Sequence, residues 1–284
     1  MPKFNIKEWV EADPDQAAFR QAVHTVLTAI SGTPFLQTSM IMKGGVLLAL
    51  GYNSSRYTQD IDFSTAVRLP EFNQKKFKSR LDAGLLFAAE SLGYGLDCRI
   101  QGIVQKPAQE DASFPTIQTK VGYAYKSKPA EHRRLLAGQA TKVIKLDYSL
   151  NEPVGHVEFY ELEDGNEIRT YSLIELIAEK FRALLQQQVR NRMRGQDVYD
   201  LYHLFTMHPE LVAEDETKNK ILERLIEKSA IRSLSISVES LANADIRRRT
   251  EEDYKKRYSE MEEGLPPFDT LYKRVEEYYR SLPW

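Results

Sequence analysis

Apolar positions along this chain follow two rhythms, and the change between them falls near residue 170. In the first part, short alternating runs sit among helical ones. The stretch "DPDQAAFRQAVHTVLTAISG" has an acidic, Pro-containing start, apolar residues at three- and four-residue steps, and Gly32 past its end, which predicts a capped helix. "FLQTSMIM" reads as a strand running towards Lys43, and "GVLLALGY" as a short apolar helix after a Gly-Gly turn. In "QDIDFST", Ile61 and Phe63 alternate with Asp60 and Asp62, the two-residue period of a strand with one buried face. "EFNQKKFKSRLDAGLLFAAESLGY" is a long amphipathic helix. "LDCRIQGIVQ", "TIQTKVGYAYK", "TKVIKLDYSL" and "GHVEFYELE" are four further strands, suited mostly to antiparallel pairing.

From "SLIELIAEKFRALLQQQV" onwards nearly every segment is helical. Ser172 stands three residues before Glu175, the spacing of a capping box. "QDVYDLYHLFTM", "ETKNKILERLIEKSAI", "ANADIRRRTEEDYKKRYSEME" and "DTLYKRVEEYYRSL" carry their apolar and aromatic residues at helical steps, and "GLPPF" separates the last two. The pattern predicts an α/β domain over residues 1–168 and a helical domain over 169–284, with "ELEDGNEIRTYS" as a short boundary between them.

Composition adds mainly exclusions. At 284 residues each part is long enough for its own core. A formal net charge of −2 does not mark a nucleic-acid binder in bulk, so any such role must come from local basic clusters. One cysteine, Cys98, rules out an internal disulfide, and the five histidines show no zinc spacing. The first residues lack the apolar core of a signal peptide, and no apolar run reaches 18 residues, so a cytoplasmic protein with no membrane partner is expected.

The candidate chemistry lies in "MKGGVLLALGYNSSRYTQDIDFST". Two aspartates at i and i+2 on a strand project from one face, where they can share hard cations such as Mg²⁺ or Mn²⁺ and would otherwise repel. A Gly-Gly turn between strand and helix, here Gly44 and Gly45, lets backbone approach a phosphate. "KVIKLDYSL" places Asp147 among Ile144, Leu146 and Tyr148, as a third strand carboxylate. Taken singly these are a solvated strand end, a plain turn and an exposed charge; in this order they supply the parts of two-metal phosphoryl or nucleotidyl transfer.

The ordered set Gly44, Gly45, Ser54, Ser55, Arg56, Asp60 and Asp62 resembles the nucleotidyltransferase superfamily built on the DNA polymerase β palm, and more narrowly the AbiEii/AbiGii toxins with their MenT-type relatives. A second motif of that family, a helix Lys, an Arg-containing turn and then Asp-x-x-Asp, is matched in "EKFRALLQQQVRNRMRGQDVYDLYHL" by Lys180, Asp197 and Asp200. The chain departs from the pattern at Gln196, where a basic residue is frequent, and at Val46, where a hydroxyl is. The resemblance implies an α+β fold: a polymerase β-like palm of mixed sheet and flanking helices, then an all-helical C-terminal domain. It implies Asp60, Asp62 and Asp147 as metal ligands, with Asp147 alternatively the base. Lys43, Gly44, Gly45, Ser55, Arg56, Lys180 and Asp197 become candidates for the nucleotide, Lys180 with a catalytic part.

The function implied is metal-dependent transfer of a nucleoside monophosphate from an NTP to a hydroxyl, first of all on tRNA, by the toxin of a bacterial toxin–antitoxin or phage-defence pair, with an antitoxin as partner. A protein or small-molecule acceptor, or nucleotide binding without turnover, are the alternatives. Arg190, Arg192 and Arg194 are candidates for RNA contact; Arg247, Arg248 and Arg249, followed at once by acidic residues, read as a solvated helix face. The nucleobase and the oligomeric state are left open by the sequence.

Overall fold

The computed structural model describes residues 1–56, 58–256 and 266–284. It divides the chain into two compact units, one formed by residues 1–51 and 58–171, the other by 52–57 and 172–284. The sequence pattern alone assigns 52–57 to the first domain; the structure gives it to the second.

The first unit contains α1 (Ile6–Glu11), α2 (Ala17–Ser31), α3 (Pro34–Ser39), β1 (Ile41–Lys43), α4 (Gly44–Gly51), β2 (Asp60–Ser64), α5 (Gln74–Ser91), β3 (Leu96–Lys106), β4 (Thr116–Tyr125), α6 (Pro129–Leu136), β5 (Val143–Ser149), β6 (Val157–Glu161) and β7 (Glu167–Tyr171). Its seven strands form one mixed sheet in the order β3-β4-β5-β2-β1-β7-β6. The pairs β2/β5 and β1/β7 are parallel and the other four antiparallel, so the sheet is mixed and mostly antiparallel, as expected.

One face of the sheet is the core. Met42, Ile61, Phe63, Ile144, Leu146 and Tyr148 are buried there, and Phe77 of α5 stacks on Tyr148 at 5.7 Å. By the two-residue period the opposite face receives Lys43, Asp60, Asp62, Lys145 and Asp147. The end of α5 that faces the chain's start is capped by Asn73, whose side chain accepts from the Lys76 N–H at 2.9 Å.

Two predicted elements change. Most of "FLQTSMIM" is helix α3, because Pro34 at its first position is preset for helical φ; only Ile41–Lys43 is strand. The predicted boundary "ELEDGNEIRTYS" is instead the hairpin of β6 and β7, turning at Gly165 with φ +80°. The short helices α1 and α6 carry no strong periodic signal and were not expected.

The second unit holds α7 (Leu173–Leu185), α8 (Gln187–Arg190), α9 (Gly195–Met207), α10 (Pro209–Ala213), α11 (Asp215–Ile231), α12 (Ala244–Lys256) and α13 (Phe268–Arg280). Ser172 caps α7 by accepting from the Glu175 N–H at 3.3 Å. Glu175 itself, fully buried, pairs with Arg224 at 2.6 Å and Lys228 at 2.8 Å and ties α7 to α11. Gly195 fits α9 against α12: a Cβ there would stand 2.2 Å from the Tyr254 backbone nitrogen. The predicted continuation of α12 through "RYSEME" and the beginning of "GLPPF" lie outside the described residues. Among the described residues no helix is long and apolar enough to cross a membrane.

Candidate active site

The sheet unit brings three of the predicted residues into one row. Lys43 of β1 is in register with Asp62 of β2, Asp62 with Asp147 of β5, and Asp147 with Gln118 of β4. Neighbouring strands are about 4.8 Å apart, so the Asp62 and Asp147 carboxylates leave adjacent strands side by side. Asp60 lies one step along the same face, in register with Lys145, whose ammonium stands 3.5 Å from Asp60 Oδ1. Burial, together with the like charge of Asp147, holds the Asp60 carboxyl above the usual aspartate range; the Lys145 ammonium opposes that shift. Among the described residues no three His, Cys, Asp or Glu side chains already converge as a metal cluster. The donor set of Asp60, Asp62 and Asp147 is nevertheless hard oxygen throughout, the chemistry Mg²⁺ or Mn²⁺ takes.

Gly44 has a steric reason to be glycine. Its φ is +77°, and a Cβ at that position would lie 2.1 Å from Asp62 Oδ2 and 2.8 Å from its carboxyl carbon. The glycine thus leaves the space the Asp62 carboxylate occupies. Gly45, the next residue, is buried in the first turn of α4.

Two surrounding contacts were not legible in the sequence. Lys106 donates to Gln118 Oε1 at 2.6 Å, and Gln118 Nε2 donates to Asp147 Oδ1 at 2.9 Å, fixing one oxygen of that carboxylate. Lys43, expected at the nucleotide, is paired by the structure with Glu152 at 2.5 Å. Glu152 also accepts from Ser64 Oγ at 2.9 Å, and Ser64 accepts from the Tyr171 hydroxyl at 3.0 Å. Glu152 sits in "NEPVG", which reads as an ordinary turn.

The helical unit holds a second charged set. Tyr52 is fastened to α9 by His203, whose Nε2–H donates to the Tyr52 carbonyl at 2.7 Å. Arg56 then makes a forked contact with Asp200, Nε to Oδ1 at 2.8 Å and Nη2 to Oδ2 at 3.2 Å. Lys180 of α7 donates to Asp200 Oδ2 at 2.5 Å and to Asp197 Oδ1 at 3.1 Å. Asp197 and Asp200, three apart on α9, share one face of that helix. The side chains of Arg56, Lys180 and Asp200 are 8%, 8% and 1% exposed.

Burial disfavours every charge in this set, and the pairing overcomes it. Asp200 stays below the usual aspartate range because Arg56 and Lys180 outweigh its desolvation. Lys180 and Arg56 stay above their ordinary values because Asp200 and Asp197 outweigh theirs.

Asp200, a motif member without an assigned role in the sequence reading, is the centre of this set. Arg194 approaches Asp197 Oδ2 at 3.8 Å, while Arg190 and Arg192 lie on exposed backbone around Asn191. Ser55 is exposed; Ser54 is buried. The Arg247–Arg249 run forms ion pairs with Asp269, Asp245 and Glu252, the solvated face expected of it.

A Gly-Gly turn packed on an Asp-x-Asp strand, with a third carboxylate in register, sets this chain among the α+β nucleotidyltransferases. The fold is similar to that of a solved structure: a candidate nucleotidyltransferase from H. pylori superimposes with a TM-score of 0.50 over 95% of both chains, at 15% identity. No curated protein matches the sequence. The family model of the nucleotidyl transferase AbiEii toxin of type IV toxin–antitoxin systems matches residues 25–276. The chain belongs to that family and is a nucleotidyltransferase.

Proposed function

We propose that this enzyme transfers a nucleoside monophosphate from an NTP to a hydroxyl of tRNA with release of pyrophosphate, and that it acts in the cytoplasm as a toxin restrained by a cognate antitoxin. The observation that carries the reading is the in-register pairing of Asp62 with Asp147 beside Asp60 on the open sheet face, with Gly44 shaped around Asp62.

Asp60, Asp62 and Asp147 would hold Mg²⁺ or Mn²⁺, which supplies Lewis-acid stabilisation of the phosphate oxygens and of the departing pyrophosphate. The acceptor oxygen forms a bond to the α-phosphorus while the bond to pyrophosphate breaks. Where Asp147 serves as the base instead of a ligand, the hydroxyl proton passes to its Oδ2, since Oδ1 already accepts from Gln118. Gly44 keeps Asp62 in place, and Glu152 fixes Lys43 one strand away in the same row. In the helical unit, Arg56 and Lys180 hold their positive charge at neutral pH, the state a triphosphate requires of its partners.

The test is transfer of α-³²P label from each NTP to total tRNA with Mg²⁺, beside Asp60→Ala/Asp62→Ala. Label on tRNA from the wild type alone is the expected result. Full transfer by the double variant would overturn the role of the carboxylates, and label found only on protein or small molecules would overturn the acceptor.

A further inference from the structure

The sheet face that carries the three carboxylates continues, on the far side of β5, into an exposed basic strip. Between residues 112 and 146 the chain has seven Lys or Arg against the single acidic residue Glu131, although the whole protein is slightly acidic. Lys120 of β4 is in register with Lys145 of β5, and both are exposed. Like charges directly opposite one another on a sheet are destabilising, so nothing in the fold itself favours this pair.

The strip extends along the same face to α6. Gly122, two residues on from Lys120, is covered by Ala140, which a Cβ on the glycine would meet at 2.5 Å. His132 of α6 reaches Asp97 at 2.9 Å, and Asp97 is in register with Ala124, two residues further along that face. Helix α6 therefore lies on the carboxylate side of the sheet and exposes Arg133 and Arg134. Among the described residues, Lys120, Lys126, Arg133 and Arg134 make no side-chain hydrogen bond or ion pair. Lys145 joins the strip to the site through Asp60.

We propose that this strip is the docking track for the sugar–phosphate backbone of an RNA acceptor, entering over α6 and β4 and reaching the carboxylates at Lys145. A lone triphosphate would not need cations spread over two strands and a helix; a polyanion engages them together and relieves their mutual repulsion. The assignment deepens the tRNA reading above and rests on it for the identity of the chemistry, and it places RNA contact on the sheet unit rather than on the arginines that the sequence singled out.

The test compares the wild-type protein with Lys120→Glu/Arg133→Glu/Arg134→Glu and with a control of similar charge change on the opposite side of the sheet, Lys75→Glu/Lys76→Glu/Arg80→Glu in α5. Binding of a fluorescein-labelled RNA hairpin is followed by anisotropy from low to moderate salt, without NTP. Three lost phosphate contacts lower the salt slope by about 2. Between 50 and 200 mM salt the wild type then loses about twentyfold more affinity than the strip variant does. The control keeps the wild-type slope, and both variants keep wild-type affinity for a fluorescent, non-hydrolysable NTP.

A wild-type slope in the strip variant, an equal loss in the α5 control, or no RNA binding by the wild type overturns the proposal. The two readings fail separately. If the wild type labels no RNA but the strip variant alone loses binding, the strip stands and the transfer reading falls. If strip variant and wild type label tRNA equally at moderate salt, the transfer reading stands and the strip falls.

Discussion

Replacing Asp200 by Ala tests the charged set of the helical unit directly. This carboxylate is 1% exposed and accepts from two cations whose side chains are 8% exposed. Its removal takes away the forked contact of Arg56 and the shorter contact of Lys180 while both charges stay buried. Breaking a buried pair in this way costs about 3–5 kcal/mol, a large share of the roughly 5–15 kcal/mol that holds a domain together. For a unit of this size the midpoint of thermal unfolding falls by about 10–20 °C. Thermal unfolding followed by far-ultraviolet circular dichroism measures the midpoint, and urea unfolding the free energy.

The charge-free replacement Arg56→Met/Lys180→Met/Asp197→Asn/Asp200→Leu should recover most of that loss, because the penalty comes from stranded charge rather than from a lost attraction. The acid limb gives an independent check. Asp200 has a lowered pKa in the fold, so its contribution is complete above the ordinary aspartate range near 4 and disappears only as pH falls towards the lowered value. Asp200→Ala should therefore flatten the loss of stability below that range. A single variant that unfolds within about 1 kcal/mol of the wild type, inside the scatter of ordinary surface changes, would refute the reasoning.

Gly44→Ala should lower NTP transfer about a hundredfold or more while the sheet unit stays folded, since its Cβ displaces the Asp62 carboxylate by a distance that matters to a reacting group; activity within a few-fold of wild type would contradict the close approach. In EDTA at pH 7, Asp60→Asn should raise the unfolding midpoint: the fold binds this proton more tightly than the unfolded chain, so wild-type stability falls as pH rises from the ordinary aspartate value through the raised one, and the two proteins should converge below that window. The buried Cys98 thiol, pushed up to about 12 mainly by burial, should resist alkylation at pH 8 in the native protein and react promptly in denaturant, as thiol titration would show.

The parts of the site with a local signature were legible in the sequence. Asp60 and Asp62 announce a strand because apolar Ile61 and Phe63 interleave with them, and Asp147 sits in an equally plain alternation. Sheet register has no such signature. That Asp62 faces Asp147, and that Lys120 faces Lys145, depends on pairing between segments far apart in sequence. Asp200 was visible as a motif letter, but its partner Arg56 is 144 residues away and nothing local connects them. Glu152 hides in a Pro-containing turn, and its partner Lys43 is 109 residues distant. The Asp-Gly turn between β6 and β7 is a hairpin signal that the boundary reading of that segment leaves unused, and the strands beside it are only five residues long.

The six residues at 52–57 leave the first unit, join the second and are followed by β2 of the first, so the chain passes between units three times. During synthesis this sets an order of events. The carboxylate sheet is complete in sequence once residue 171 has been made, but the partners of Arg56 arrive only with α9. A chain released early would present the carboxylates with its arginine unmatched and without Lys180. The discontinuous unit thus ties assembly of the second charged set to translation well beyond the sheet, since Arg56 can meet Asp200 only after α9 has been made.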